Sequence, residues 1–331
     1  MKSFYSITSI VKASVLIIFS MVASQAVAHR FEINRIVSFG ASLSDSGNSY
    51  YWLSLPENQA CGKINVPPFF VLDPLLVPNG PYFIDGQYHF SNGQTWLEGF
   101  ARYLALARSA QPAFSNDNKK LTNYSVGGAR AVANKPCRVN LTDQVQNYFA
   151  DYSRTSPNTL ITLEIGGNDI RDALFAAAEG QDPGPYIQGA IESIGHTLSA
   201  LYMHGARKFL VLNVPDLGKT PAVRMIPGAS QIATKLTEAF NQNLLLALKG
   251  INKLPGNKVK LLDIKGKLDD VVKHAADYGF ANVTDACVKP NQNPYQCINP
   301  DSYLFWDGIH PTEAMHDIVA QQAVITVKSR W

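Results

Sequence analysis

Ser42 lies in the stretch Ser38-Phe39-Gly40-Ala41-Ser42-Leu43-Ser44-Asp45-Ser46-Gly47-Asn48, directly after the apolar run 34–40. A serine just past a strand, flanked by small residues, can stand exposed at the strand's carboxyl end. Its own amide and the next helix N-terminus then face the same space, which suits a nucleophile. The same position also suits a plain helix cap. Far along the chain comes Asp307-Gly308-Ile309-His310-Pro311. Only two residues separate acid from imidazole, so a tight turn can bring the carboxylate to one ring nitrogen and leave the other as base. Pro311 fits the first position of a last helix. Taken alone, this is equally a capping aspartate beside an incidental histidine. Two glycine turns follow strand-like runs, Gly127-Gly128 and Gly166-Gly167-Asn168. Glycines let the backbone turn sharply and present an N–H without a side chain in the way, and Asn168 adds an amide donor. A nucleophile, an oriented base and N–H donors are the parts of nucleophilic catalysis.

These residues need elements that bring them to one place. Short, continuous apolar and β-branched runs occur at 34–40, 121–127, 158–165, 207–214 and 258–264, as in strands buried on both faces. Between them, residues 186–203 and 229–249 place Ile187, Ala190, Ile194, Leu198, Leu236, Phe240, Leu244 and Leu248 at three- and four-residue steps. The alternation predicts an α/β fold: a three-layer sandwich with a five-stranded, mostly parallel sheet between helices. Such sheets build their sites at the carboxyl ends of the strands, where all four groups fall. Residues 56–93 break the pattern. The apolar, proline-broken stretch 67–83 reads as a long loop over the core or an apolar wall beside the site.

In chain order, Ser42, Gly128, Asn168 and His310 resemble the four blocks of the GDSL/SGNH hydrolase family. FGASLSDSGN (39–48), NYSVGGA (123–129), IGGND (165–169) and DGIHPT (307–312) carry the resemblance. FSNGQTWLE (90–98), LTDQV (141–145) and LNVPDLGKTP (212–221) extend it. It implies a flavodoxin-like SGNH sandwich, with Ser42 as nucleophile, His310 as general base and Asp307 orienting it. The Ser42 and Gly128 amides and the Asn168 side chain would form the oxyanion hole. It implies no cofactor and no metal. The α/β-hydrolase arrangement is excluded, because Gly40-Ala41-Ser42-Leu43-Ser44 lacks the last glycine of G-x-S-x-G. One departure stands out: Ala41 occupies a position where the family usually has aspartate. Within the family, the chain most resembles secreted bacterial lysophospholipase A/phospholipase A enzymes and glycerophospholipid:cholesterol acyltransferases. The expected substrates are acyl esters of lysophospholipids or phospholipids, with a sterol as possible second acceptor. A short-chain or carbohydrate esterase, or an inactive lipid- or glycan-binding relative, is the alternative.

The 331 residues are 46% hydrophobic and 17% charged, the balance of a folded soluble protein. Lys2 and Lys12 precede an apolar run at 13–23 and the small-x-small site Ala26-Val27-Ala28. Residues 1–28 therefore read as a secretory signal peptide, leaving 29–331 as a single hydrolase domain, secreted to the periplasm or beyond. Cleavage leaves 27 basic against 26 acidic residues, a net charge of +1, with no field to attract nucleic acid. The expected partners are a lipid substrate or membrane surface. Four cysteines in an exported chain suggest disulfides. Of three pairings, loop closure favours Cys287–Cys297, leaving Cys61–Cys137. The polar loop 288–296 is expected near the site mouth, either as a lid that an activating secreted protease would cut or as a staple for the catalytic turn. His196, His204, His274 and His316 read as structural or solvent-facing.

Overall fold

The computed structural model describes residues 33–61, 83–84, 87–115, 121–132, 137–288 and 297–329. The expected signal peptide, most of the apolar 67–83 stretch and residues 289–296 lie outside them.

The run Arg35–Gly40 forms β1, and after its first residue every position is buried. Thr159–Glu164 (β2), Lys208–Leu212 (β3) and Lys258–Leu262 (β4) follow it in the sheet, in the order β1-β2-β3-β4 and all parallel. Side chains alternate across a strand, and the sheet has a core on each face. Val37, Phe39, Ile161, Leu163, Phe209 and Val211 pack into one of them. Leu141–Asp151 (α3), Gly184–Met203 (α5) and Ala229–Ile251 (α6) cover that face, joined by Ile170, Ala173 and Leu174 of the helix Gly167–Ala178. Ile36, Leu160, Leu210 and Leu212 are buried on the other face, where Trp96–Tyr103 (α2) packs against Glu313–Lys328 (α8). Asn48–Ser54 (α1), Gly167–Ala178 (α4) and Ile264–Lys273 (α7) complete the helices that concern the site. The three-layer α/β/α sandwich stands as expected.

The sheet has four regular strands, and not the expected five. Residues 121–126 do run parallel to β1 at its outer edge. The Ser38 amide donates to Thr122 O, and Tyr124 and Val126 amides donate to Ser38 O and Gly40 O. Yet only an isolated bridge, Ser38 to Asn123, forms there. The segment's other side is taken by Gln111 and Ala113, whose backbones bond Asn123. Asn123 also folds its side chain onto its own backbone, Oδ1 accepting the Ser125 amide two residues on (3.0 Å), while its amide group donates to Ser44 O and Ser46 Oγ. A polar side chain that bonds nearby backbone competes with the ladder, and the strand dissolves into a ribbon.

Two short pairs of strands were not foreseen: an antiparallel pair, Phe83–Ile84 with Gln87–Tyr88, and a parallel pair, Asn282–Ala286 (β5) with Tyr303–Phe305 (β6). β6 leads straight into Asp307. Cys287 continues the parallel pair, its amide donating to Phe305 O (3.0 Å). Cys287 is bonded to Cys297, and Cys61 to Cys137.

Candidate active site

The chain leaves β1 at Gly40 and turns at once. The Ser44 amide returns to Ala41 O (3.2 Å), which leaves Ser42 at the apex. Asp45 holds the rest of the turn. Its fully buried carboxylate accepts from the amides of Gly47 (2.8 Å), Asn48 (2.6 Å), Ser49 (3.1 Å) and Gly127 (2.7 Å), and from Ser49 Oγ. Burial pushes this carboxyl up from its ordinary value, while the donors pull it down. Asp45 thereby welds the nucleophile turn to the second glycine turn. Asn48 adds two more ties, donating to Asn123 O (2.7 Å) and Ser125 O (2.9 Å).

His310 reaches Ser42 across the molecule. The loop after β6 closes on itself, with the Trp306 amide on His310 O (2.8 Å) and the amides of Ile309 (2.8 Å) and His310 (2.7 Å) on Asp307 Oδ1. Asp307 Oδ2 lies 2.7 Å from His310 Nδ1, and His310 Nε2 lies 2.8 Å from Ser42 Oγ. A carboxylate only accepts, so the proton sits on Nδ1 and Nε2 is left to accept from the serine. Asp307 is wholly buried and His310 nearly so.

The loop is braced from outside. Ser91 donates to Pro311 O (2.9 Å), and Asn92 Oδ1 accepts the amide of Glu313 (2.7 Å), capping α8. The Phe90 ring lies 5.3 Å from the His310 ring, and the Ala222 amide donates to Gly308 O (2.9 Å). Trp96 joins both halves of the site: its backbone amide donates to His316 Nδ1 (3.1 Å) and its indole to Ser44 Oγ (2.9 Å). A capping box at Thr95 and Glu98 starts α2 at that point.

Gly128 and Asn168 lie on turns that are tied together. Gly128 has φ +75°, a left-handed conformation in which glycine carries no penalty. The Gly127 amide is spent on Asp45 and Ser49 Oγ. Among the described residues, neither the Gly128 amide nor the Ser42 amide has a partner. Gly166, with φ +114°, opens α4, and a Cβ there would meet the Phe240 ring at 2.2 Å. Asn168 follows, its side-chain amide donating to Ala129 O (2.9 Å). Arg130 donates to Gly128 O (2.6 Å) and forms a buried two-pronged pair with Asp172 (3.0 and 2.9 Å). Asp169 accepts the amides of Ala131 and Val132; burial pushes its carboxyl up to about 6.

All three predicted catalytic side chains meet, and Asn168 is bound to the Gly128 turn. The arrangement can deprotonate Ser42 toward a carbonyl carbon. Sequence reasoning missed the supports Asn92, Arg130 and Asp172. The spacing of Asp169 and Asp172 on one helix face was the available signal for the α4 contacts. Of the other histidines, buried His316 accepts from Trp96, half-buried His204 bonds Thr155, and exposed His274 pairs with Asp270. Among the described residues, no group of histidines, cysteines and acids could hold a metal ion.

A GDSL esterase/lipase of Arabidopsis thaliana is 27% identical, covering 87% of this chain and 84% of its own. The phosphatidylcholine-sterol acyltransferase of Aeromonas hydrophila is 24% identical over 93% of this chain and 94% of its own. The thermolabile hemolysin of Vibrio parahaemolyticus is 26% identical over 88% of this chain and 63% of its own. Among solved structures, a phospholipase A1 from Streptomyces albidoflavus NA297 gives a TM-score of 0.44 at 16% identity, covering 89% of this chain and 98% of its own. The model of GDSL-like Lipase/Acylhydrolase matches residues 36–323, and the chain belongs to that family of ester hydrolases.

Proposed function

We propose that the protein is a secreted serine esterase acting on acyl esters of lysophospholipids and phospholipids, with a sterol hydroxyl as a second acceptor. The observation that carries the catalytic part is the unbroken chain Ser42 Oγ–His310 Nε2 and His310 Nδ1–Asp307 Oδ2. Ser42 Oγ attacks the ester carbonyl and gives its proton to His310 Nε2. The oxyanion receives the free amides of Ser42 and Gly128 and the second N–H of Asn168. His310 then protonates the leaving alcohol, and water or a sterol hydroxyl, deprotonated by the same nitrogen, releases the acyl group. Asp307 keeps the imidazole in the required tautomer throughout.

A cavity of about 60 Å³ lies beside the site, walled almost entirely by apolar groups that include Leu43, Ile309, Pro311, Met315, Val319 and Leu268. Leu43 follows the nucleophile and Ile309 precedes the base, so the catalytic turns themselves present apolar side chains to this cavity. The Aeromonas relative is named for phosphatidylcholine and sterol. Export accords with two disulfides, and among the described residues no helix is long and apolar enough to cross a membrane.

The test is activity of the mature protein on phospholipids, lysophospholipids, triglycerides and acetylated sugars, with and without cholesterol, beside Ser42→Ala. Long-chain glycerophospholipids should be cleaved and a fluorophosphonate should label Ser42. Cleavage of acetylated sugars with no action on any long-chain lipid would overturn the lipid reading. Wild-type turnover by folded Ser42→Ala would overturn the catalytic one.

A further inference from the structure

Glu164 is a carboxyl group that the acyl-transfer steps do not use, yet it sits directly behind the nucleophile. It ends β2, opposite Gly40 in the register of the sheet. The Ala41 amide, one residue before Ser42, is shared between Glu164 O (3.0 Å) and Glu164 Oε2 (3.2 Å), and Ser44 Oγ, two residues after Ser42, donates to the same Oε2 (3.3 Å). Ser44 Oγ in turn accepts the Trp96 indole N–H (2.9 Å), and Trp96 is bonded to His316 on α8. Glu164 thus grips the Ser42 turn on both sides and connects it to the elements that carry His310.

Among the described residues Glu164 has no ion pair. Around it stand Asp45 on the same turn, His310 beyond Ser42, Glu98 (paired with His89) on the Trp96 helix, and Glu313 and His316 on the last helix; none of these forms a hydrogen bond or ion pair with it, and only burial and the Ala41 and Ser44 donors move its carboxyl. Burial pushes its carboxyl up to about 8, against the pull of the Ala41 and Ser44 donors. A buried charge without a partner is expelled by protonation. With both donors on Oε2, the proton belongs on Oε1.

We propose that Glu164 is a positioning residue that works as the neutral acid, bracing the Ser42 turn while keeping negative charge away from the oxyanion. Ionised, the same carboxylate would stand behind the Ser42 amide, opposing the negative charge that develops on the substrate carbonyl in the transition state. The group therefore sets an upper pH limit on turnover, separate from the His310 proton transfer. The inference rests on the serine-esterase reading, and Ser42 labelling by a fluorophosphonate establishes that reading independently.

The experiment is kcat and KM from pH 6 to 10 on a water-soluble ester for the wild type, Glu164→Gln, Glu164→Ala and Ser44→Ala. The wild type should lose kcat by ~10-fold per pH unit above an alkaline limb. Glu164→Gln, an uncharged isostere, should keep turnover at neutral pH and lack the limb. Glu164→Ala should lower kcat ~10²-fold at every pH through a loosened turn, with KM little changed. Ser44→Ala removes a donor that favours the ionised form, so its limb should move to higher pH. Superimposable profiles for wild type and Glu164→Gln would overturn the proposal, as would a Ser44→Ala limb shifted to lower pH. Should Glu164→Gln fail to fold, the Ser44→Ala shift decides, together with loss of a protonated-carboxyl infrared band from the wild type across the same limb.

Discussion

Asn168 uses one N–H of its side-chain amide in the fold and leaves the other for the proposed oxyanion. One N–H is anchored on Ala129 O at 2.9 Å, which fixes the plane of the group. The other has no partner among the described residues, so it is aimed before substrate arrives. A donor fixed in advance costs no reorganisation when charge develops, and its gain appears mainly in the transition state. Asn168→Ala should therefore lower kcat by ~10²–10³, or about 2.7–4 kcal/mol, with KM nearly unchanged. Steady-state kinetics of the folded variant check this, and an unchanged kcat with a raised KM would make Asn168 a ground-state contact instead. Ser42, Asp307, His310 and Asn168 were all legible in the sequence because each sits in a short local signature. Glu164 and Arg130 were not. Their meaning depends on neighbours far away in the chain, Glu164 being 120 positions from Ser44 and Arg130 42 from Asp172.

At the level of elements, the site is three turns bound to one another, and helix α4 does much of the binding. From its first turns Asn168, Asp169 and Asp172 all reach the Gly128–Val132 loop. The Arg130–Asp172 pair is nearly excluded from solvent on both sides, so removing one partner strands a buried charge. Asp172→Ala should cost about 3–5 kcal/mol of stability in urea denaturation. Because Arg130 also holds Gly128 O, kcat should fall as well. Loss of stability below 1 kcal/mol would mean that water reaches the guanidinium in the variant. The strands β1 to β4 could be read within a few residues from their continuous apolar runs, and helices α5 and α6 from apolar residues at three- and four-residue steps. The ribbon 121–126 could not, because Asn123 spends its side chain on local backbone. The β5–β6 pair was hidden for a different reason. Asn282–Ala286 is largely polar and Tyr303–Phe305 is only three residues, too short for a pattern, yet this pair delivers Asp307.

Across the whole molecule, the site is a seam between the N-terminal turn and the last helix, and His316 is buried in that seam. Its Nδ1 accepts the Trp96 amide (3.1 Å), so the ring must be neutral at that atom. Burial, reinforced by the nearby His310 and His89, pushes its pKa down from 6.5 to about 3. The unfolded chain takes up a proton near pH 6.5, and the folded chain does so only near pH 3. Below pH 6.5 the unfolded state therefore binds more protons, and stability is lost as the pH falls through that window. The full contribution is kept above pH 6.5. At pH 5 the loss from this one group should be about 2 kcal/mol. Glu164 and Asp169, whose carboxyls are raised, act in the opposite sense: their burial is least costly at low pH and more costly as the pH rises through their folded values. The two kinds of group can be separated by substitution. His316→Gln removes the titration while leaving an acceptor for Trp96, so its urea midpoint should change less between pH 7 and pH 5 than that of the wild type. Equal shifts in both proteins would show that His316 is protonated in the folded state and that the Trp96 contact is not the one drawn. The outcome bears on activity too, because the same contact carries the last helix, and His310 with it, onto the turn that holds Ser42.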